Sequence, residues 1–333
     1  MRVDRPKLGV LKSQDPNYKH YIDACNEIDV ESVEIDFLSP SWIDAVRRSG
    51  CDGFLLRPPC EFQEQYQIYV DRARILHEFM GKPVYPSLNS MLLYENKRAM
   101  ADFLEARDLP RAKTWVFQDR ASASAFCENC SLPIVIKSSI GAAANGVEIV
   151  RERSELLKKV DRHFWTLHPK LSVGYAKKNG KKFWSIPDYR KAQRGFVILQ
   201  EFHQVRWEWR IIHLNGAFFG HQKLLKGDFA SGSDLVGWER PPDSLLDLTA
   251  SICERDDFDS MAIDIFETMD GQFVINELQA LFGSYNPSQM YLDGRPGKFI
   301  KSSGQWEFVE GCFNRHGSYL ARVESFVKKL QAL

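Results

Sequence analysis

Residues 261–279 read MAIDIFETMDGQFVINELQ, two apolar strand-like runs hinged on Asp270-Gly271. An Asp-Gly pair between alternating hydrophobics is a strong hairpin signal, because a type I′ turn needs two residues tolerant of positive φ. With those two residues as the loop, Met269 faces Gln272, Asp264 faces Glu277 and Ala262 faces Gln279. Side chains two apart on a strand share a face, so Gln279 projects beside Glu277. The register therefore sets two carboxylates opposite each other, with Cβ atoms roughly 5 Å apart.

Like charges directly opposed destabilise a sheet. On a buried face the cost grows unless one carboxylate is protonated or a cation lies between them. Mg²⁺ suits such oxygen ligands and is typically held by one or two carboxylates plus substrate phosphates. A general acid/base pair is the competing chemical reading. A solvent-exposed hairpin face is opposed by the isoleucines and phenylalanine around both carboxylates. A metal seat on this face predicts phosphate-binding groups elsewhere in the chain.

The first ninety residues alternate strand and helix signals. KLGVLKS, SVEIDFL, GFLLRPP and PVYPSL read as strands, separated by PNYKHYIDACNEI, SWIDAVRRSG and FQEQYQIYVDRARILHEFM as helices. That order predicts a parallel sheet with crossover helices, hence an α/β domain over 1–90. Ligands gather at the carboxyl ends of such strands, which places Arg57 to meet a substrate. A solvated arginine before a turn is the plainer alternative.

Next comes a helix from about Tyr94 to Arg107, and then a shorter α+β stretch. There, IVIKSS and VEIVR are strands joined by IGAAANG. Residues 166–194 resist assignment and carry eight Lys/Arg against one acidic residue, Asp188. A structureless loop of that length is usually functional or disordered. It raises two options, a solvated insertion or a lid recruiting an anionic substrate through Lys177, Lys178, Lys181 and Lys182. The last 140 residues are richer in strands and end in an amphipathic helix, SYLARVESFVKKLQAL. The division expected is 1–90, 91–199 and 200–333.

Lys+Arg and Asp+Glu both total 44, so nothing global points to nucleic acid or to an anionic membrane. No apolar run reaches the roughly 18 residues of a transmembrane helix. The N-terminal MRVDRPKLGVLKS enters a strand without a signal-peptide core, giving the expectation of a cytoplasmic protein. Seven scattered cysteines argue against a disulfide framework. The one close pair, Cys127 and Cys130 in CENC, lacks a second Cys/His pair for zinc, and reads as two thiols late on a surface helix.

Phosphate-binding elements are present. SSIGAAANG has small residues that permit close backbone approach to phosphate oxygens, although it joins strands and is no Walker loop. Lys137 sits among apolar strand neighbours and needs an anionic partner. Lys97 opens a helix, where a cation works against the macrodipole unless an anion is near. Each lysine taken alone is more often a snorkelling surface residue.

In this order the segments ENKRAMADFLEARDLPRAKTWV, PIVIKSSIGAAANGVEIV, VILQEFHQVRWEWRIIHLNGAFFG and AIDIFETMDGQFVINELQ resemble the ATP-grasp superfamily. The branch resembled is that of carboxylate–amine ligases such as D-alanine–D-alanine ligase and the ribosomal-protein glutamate ligase. The resemblance runs from about Leu88 to Gln279. It implies an ATP-grasp fold behind an N-terminal parallel-sheet domain. It also implies a cofactor set of ATP with two Mg²⁺ ions, or Mn²⁺ in their place.

Carried over by position, Lys97 and Lys137 match the phosphate-contacting lysines. Residues 138–146, including Ser138, Ser139, Gly141 and Gly146, resemble the loop covering the triphosphate. Gln200, Glu201 and Phe202 match the adenine hinge, and Glu208 the ribose-binding acid. Arg210 and Lys223 stand where the family places cations near the γ-phosphate or acyl phosphate, and Asp264 and Glu277 match the magnesium carboxylates. Gln279 departs from the family's Glu-x-Asn pattern, as does ALFGSYNPSQ from the proline-glycine that often follows it.

The implied reaction activates a carboxylate as an acyl phosphate and joins it to an amine, releasing ADP and phosphate. The substrates expected are small-molecule or peptide acids and amines, including anionic ones; a homodimer is the assembly common in that family, and the sequence leaves the oligomeric state open. An ATP-grasp kinase and a non-catalytic nucleotide-binding module are the alternatives.

Overall fold

The structure is a computed structural model. It describes residues 5–60, 62–140, 146–164, 174–178, 181–185, 195–227, 229–230, 235–282 and 286–333. For 174–178, 181–185, 226 and 229–230 only the backbone is described. Two compact units are distinguished, a larger one of 1–60, 64–111 and 204–333 and a smaller one of 61–63 and 112–203. The expected 91–199 segment is thus divided, with 91–111 belonging to the larger unit.

In the larger unit, strands Ser32–Asp36, Leu8–Lys12, Gly53–Leu55 and Val84–Tyr85 form a sheet in that spatial order. All its pairings are parallel, as the alternation of strand and helix signals predicts. The C-terminal helix Tyr319–Gln331 closes one face of this sheet. Its Tyr319, Val323, Phe326 and Leu330 join Leu8, Val10, Leu55 and Tyr85 in one buried cluster. Arg57 does not stand free at the strand ends: its Nε donates to Asp15 Oδ2 at 2.8 Å, and both side chains are largely buried.

The second sheet of this unit has eight strands. Its path runs Phe273–Gln279, Ser260–Thr268, Val205–Leu214, Ala217–Lys223, Arg295–Ser302 and Tyr291–Leu292, every pairing antiparallel. The smaller unit is a four-stranded antiparallel sheet in the order Thr114–Phe117, Val197–Glu201, Ile134–Lys137, Val147–Val150. Helices Arg120–Asn129 and Arg153–His163 bury Ala123, Cys127, Leu156 and Val160 against it. Cys127 is therefore a core residue and not a surface thiol.

Two local expectations change. The helix expected from Tyr94 begins at Lys97, because Glu95 takes φ +49° and Asn96 caps the helix by accepting from Ala99 N–H. The basic stretch contains a two-stranded hairpin, Gly174–Lys178 with Lys181–Ser185, which sets Lys177 opposite Lys182 and Lys178 opposite Lys181. Its other residues, and Gly141, lie outside the described residues. Among the described residues no helix is long and apolar enough to cross a membrane.

Candidate functional site

The hairpin reaches the expected pairing by an unexpected route. Thr268 N–H donates to Gln272 O at 3.0 Å and Gly271 N–H to Thr268 O at 3.0 Å, with Gly271 at φ +80°. The loop is therefore Met269–Gly271, three residues ending in a left-handed glycine, and not the two-residue type I′ turn. The longer loop shifts the partners by one, so that Ile265 faces Ile275 and Phe266 faces Val274. A bulge between Asp264 and Ile265 on one strand, with Asn276 as the extra residue on the other, shifts them back. Beyond it Asp264 faces Glu277 and Ala262 faces Gln279, as the sequence predicts.

The bulge also changes which side chains reach the face. Glu277 Oε1 lies 3.0 Å from Lys97 Nζ and accepts from Gln279 Nε2 at 2.8 Å. Its neighbour Asn276 contacts the same group of residues, with Nδ2 donating to Glu208 Oε2 at 2.7 Å. In an unbroken strand, adjacent residues would point to opposite faces. No feature of the sequence marks this bulge, and Asn276 was not foreseen.

The neighbouring strands complete the cluster. Arg210 is the direct partner of Asp264 across the sheet and holds it with two bonds, Nε to Oδ1 and Nη2 to Oδ2, each 2.7 Å. Lys223 Nζ donates to Asp264 Oδ2 at 2.6 Å and also to Glu208 Oε1. Glu208 and Lys223 are opposed because Asn215 and Gly216, at φ +50° and +73°, form a tight turn that pairs Leu214 with Ala217. That Asn-Gly signal stands in the sequence, and counting outward from it would have paired Glu208 with Lys223.

The carboxylate pair is thus answered here by the protein's own cations: Lys97, Arg210 and Lys223 face Glu208, Asp264 and Glu277. Asp264 is almost fully buried, which by itself would raise its pKa. Arg210 and Lys223 outweigh that and hold the carboxyl well below the usual range. Glu208 goes the other way: burial and the adjacent Asp264 charge push it up against the pull of Lys223. Two carboxylates sharing one ammonium titrate as a pair, and the better-paired one ionises first. Burial would depress Lys97, but Glu277 and then Glu95 outweigh it and raise its pKa. On the same strand pair His221, opposite Arg210, is pushed down to about 4 by burial and by that guanidinium.

Gln279 is buried, and among the described residues its amide oxygen accepts no hydrogen bond. Among the described residues no three His, Cys, Asp or Glu side chains stand ready to hold a metal. The reason is visible in the contacts of Asp264, whose two oxygens are engaged by Arg210 and Lys223. The donor set of Asp264, Glu277 and the Gln279 oxygen is nonetheless the all-oxygen kind that a hard divalent cation takes.

The smaller unit holds the other expected residues. Lys137 ends its strand nearly buried, and the next residue, Ser138, donates its N–H to Gly146 O at 2.7 Å. Gly146 is at φ +80°, and a Cβ there would lie 2.2 Å from Ser138 Oγ, so the loop closes only on glycine. Ser139 is fully buried. Gln200 Nε2 donates to Thr114 Oγ1 at 2.9 Å. Glu201 Oε1 accepts from Lys113 N–H at 2.7 Å and lies 2.9 Å from His203 Nε2, while its own N–H donates to Lys113 O. Burial would raise the Glu201 carboxyl, but these contacts outweigh it and lower it. Phe202 is half-buried.

No protein-family model matches the chain. A phosphoribosylamine–glycine ligase from Chlorobaculum tepidum is 36% identical over 84 residues, 25% of this chain and 20% of that protein. The chain thus matches about a fifth of the length of that curated relative. Solved structures match far more of it. A D-cycloserine synthetase superposes with TM-score 0.60 at 13% identity, covering 97% of this chain and 99% of the other. The N5-carboxyaminoimidazole synthase of Aspergillus clavatus, in complex with ADP and 5-aminoimidazole ribonucleotide, gives 0.58 at 10% identity over 98% and 77%. A RimK-domain ATP-grasp protein of Sphaerobacter thermophilus gives 0.51 at 18% identity over 82% and 90%.

Proposed function

On the premise that the fold is ATP-grasp, we propose that this chain is an ADP-forming ligase that activates a carboxylate with ATP and joins it to an amine. The observation that carries the reading is the sheet face bearing Asp264, Glu277, Gln279, Glu208, Arg210 and Lys223, met by Lys97 from the start of its helix. Three carboxylates and three cations gathered on one largely buried surface are costly to assemble unless charge is to be exchanged there. The names of the structural neighbours, which include a synthetase and a synthase in complex with ADP, agree with this chemistry.

Asp264, Glu277 and the unpartnered oxygen of Gln279 would hold Mg²⁺, which when bound supplies charge neutralisation for phosphoryl oxygens. Every other role belongs to the protein. Arg210 and Lys223 present guanidinium and ammonium groups whose carboxylate partners they can exchange for phosphoryl or acyl-phosphate oxygens. Lys97, tied to Glu277, orients a phosphate from the start of its helix. In the smaller unit Lys137 and the Ser138–Gly146 turn bind phosphate oxygens. Gln200, Glu201 and Phe202 line the base, and Glu208 is left to accept from a ribose hydroxyl.

The test is a coupled assay over a panel of acids and amines. Phosphate release that requires both an acid and an amine, with ADP formed in equal amount, is the expected result. A phosphorylated product formed without phosphate release would overturn the ligase reading in favour of a kinase.

A further inference from the structure

Arg322 is a fully buried residue on the C-terminal helix, and among the described residues no carboxylate pairs with it. Its Nη2 donates to Phe282 O at 2.7 Å, Nε to Ser260 Oγ at 3.3 Å and Nη1 to Gly317 O at 3.5 Å. A guanidinium carries five N–H donors, so among the described residues two remain without an acceptor. The rings of Phe282 and Tyr319, 4.5 and 5.0 Å from its central carbon, supply a partial cation–π offset.

Two more donors stand in the same region. Tyr21 and Tyr85 are buried in one cluster with Tyr319, and among the described residues neither hydroxyl meets a well-formed hydrogen-bond partner, although the Ser260 hydroxyl lies near Tyr85. Tyr21 meets the Tyr319 ring edge-on at 4.6 Å. Burial raises both phenols well above their ordinary range against the pull of the nearby Arg322 charge, so both stay protonated donors. A buried cation with spare N–H groups beside two unsatisfied hydroxyls costs free energy at each group unless something accepts from all of them.

We propose that Arg322, Tyr21 and Tyr85 form a buried seat for a single carboxylate. One negative charge matches one uncompensated guanidinium, and a planar pair of oxygens matches its fork. A doubly charged phosphate would bring excess charge. The seat also touches the metal-face strands. Ser260, which accepts from Arg322, donates to Ala280 O at 3.0 Å, and Phe282 O accepts from Arg322 directly. Both bonds hold the backbone just beyond Gln279. Ser260 lies on the same strand and face as Asp264, about 13 Å away. The carboxylate therefore comes from one of two sources, a free small acid or the far end of a substrate.

The probes are acetate, chloride and phosphate at matched ionic strength, read by thermal unfolding of the full chain, which needs no turnover. Acetate should raise Tm by several degrees at saturation, and the Tyr21→Phe/Tyr85→Phe double variant, which keeps the rings and the packing, should need at least tenfold more acetate. A response equal for all three anions, no response, or one unchanged in the double variant would overturn the seat. Where the assay of the preceding subsection finds a substrate pair, a tenfold higher KM in the double variant for one partner, with kcat and the KM for ATP unchanged, assigns the carboxylate to that substrate. An unchanged KM together with a lost acetate response assigns it to a free acid. The thermal readout stands even if no ligase activity is found, so the two readings fail separately.

Discussion

Asn276 donates to Glu208 at 2.7 Å because one residue more than the strand register requires lies between Ile275 and Glu277. A local irregularity in backbone pairing thus brings an amide to a carboxylate whose other oxygen is held by Lys223. Replacing Asn276 with Ala removes the donor and leaves a buried carboxylate oxygen short of a partner. The expected cost is about 1–3 kcal/mol in denaturant unfolding. A value near zero would show that water replaces the amide and that the bulge is there for spacing alone.

Lys223→Met tests whether the cluster can exchange its cation. The substitution leaves Glu208 and Asp264 adjacent with one positive charge fewer, at an expected cost of about 3–5 kcal/mol. Mg²⁺ should then raise Tm by several degrees more in the variant than in the parent, since it replaces the missing charge. Equal Mg²⁺ responses would argue that no divalent cation binds among these carboxylates.

Gln279→Leu separates folding from metal binding. The amide oxygen has no partner among the described residues, so the stability change, about 1 kcal/mol, comes from the lost Nε2 bond to Glu277. Calorimetric Mg²⁺ affinity in the presence of nucleotide should fall at least about tenfold. Undiminished affinity would remove Gln279 from the metal face, leaving it only the bond it donates to Glu277.

His221 makes stability depend on pH in a defined direction. Its surroundings are Arg210, Lys223, Asp264, the Trp238 ring and the Gln289 carbonyl, 3.0 Å from Nδ1. Its folded pKa of about 4 lies below the ordinary 6.5, so the unfolded chain takes up the proton first. Stability from this group is complete above pH 6.5 and is lost as pH falls towards 4, about 3 kcal/mol in all. His221→Gln should flatten unfolding free energy across that window relative to the parent. Parallel curves would place the histidine in a wetter setting.

How much of this was legible in the sequence depended on whether the determinant was local. The parallel sheet followed from hydrophobic runs and crossover lengths, both local. The Asp264–Glu277 opposition was obtained from the wrong turn, and stayed correct only because the bulge at Asn276 cancels the third loop residue. The cations on the face were placed by resemblance, but their partners come from strand neighbours such as Val205–Leu214 and Ser260–Thr268, about fifty residues apart, which no periodicity aligns. The helix boundary at Lys97 was missed because Glu95 takes a left-handed conformation uncommon for its residue type.

The offset between loop and bulge ties an exposed tip to buried chemistry. Met269 lies in solvent, yet the register that starts at this tip is one residue out of phase with the one that aligns Asp264 and Glu277. Straightening the bulge with Asn276 kept in the chain would bring Asn276 opposite Asp264 and carry Glu277 past it. The bulge is therefore a phase correction between the two ends of the hairpin. A three-residue surface turn and a buried carboxylate pair coexist on one ribbon because one strand is a residue longer than its partner.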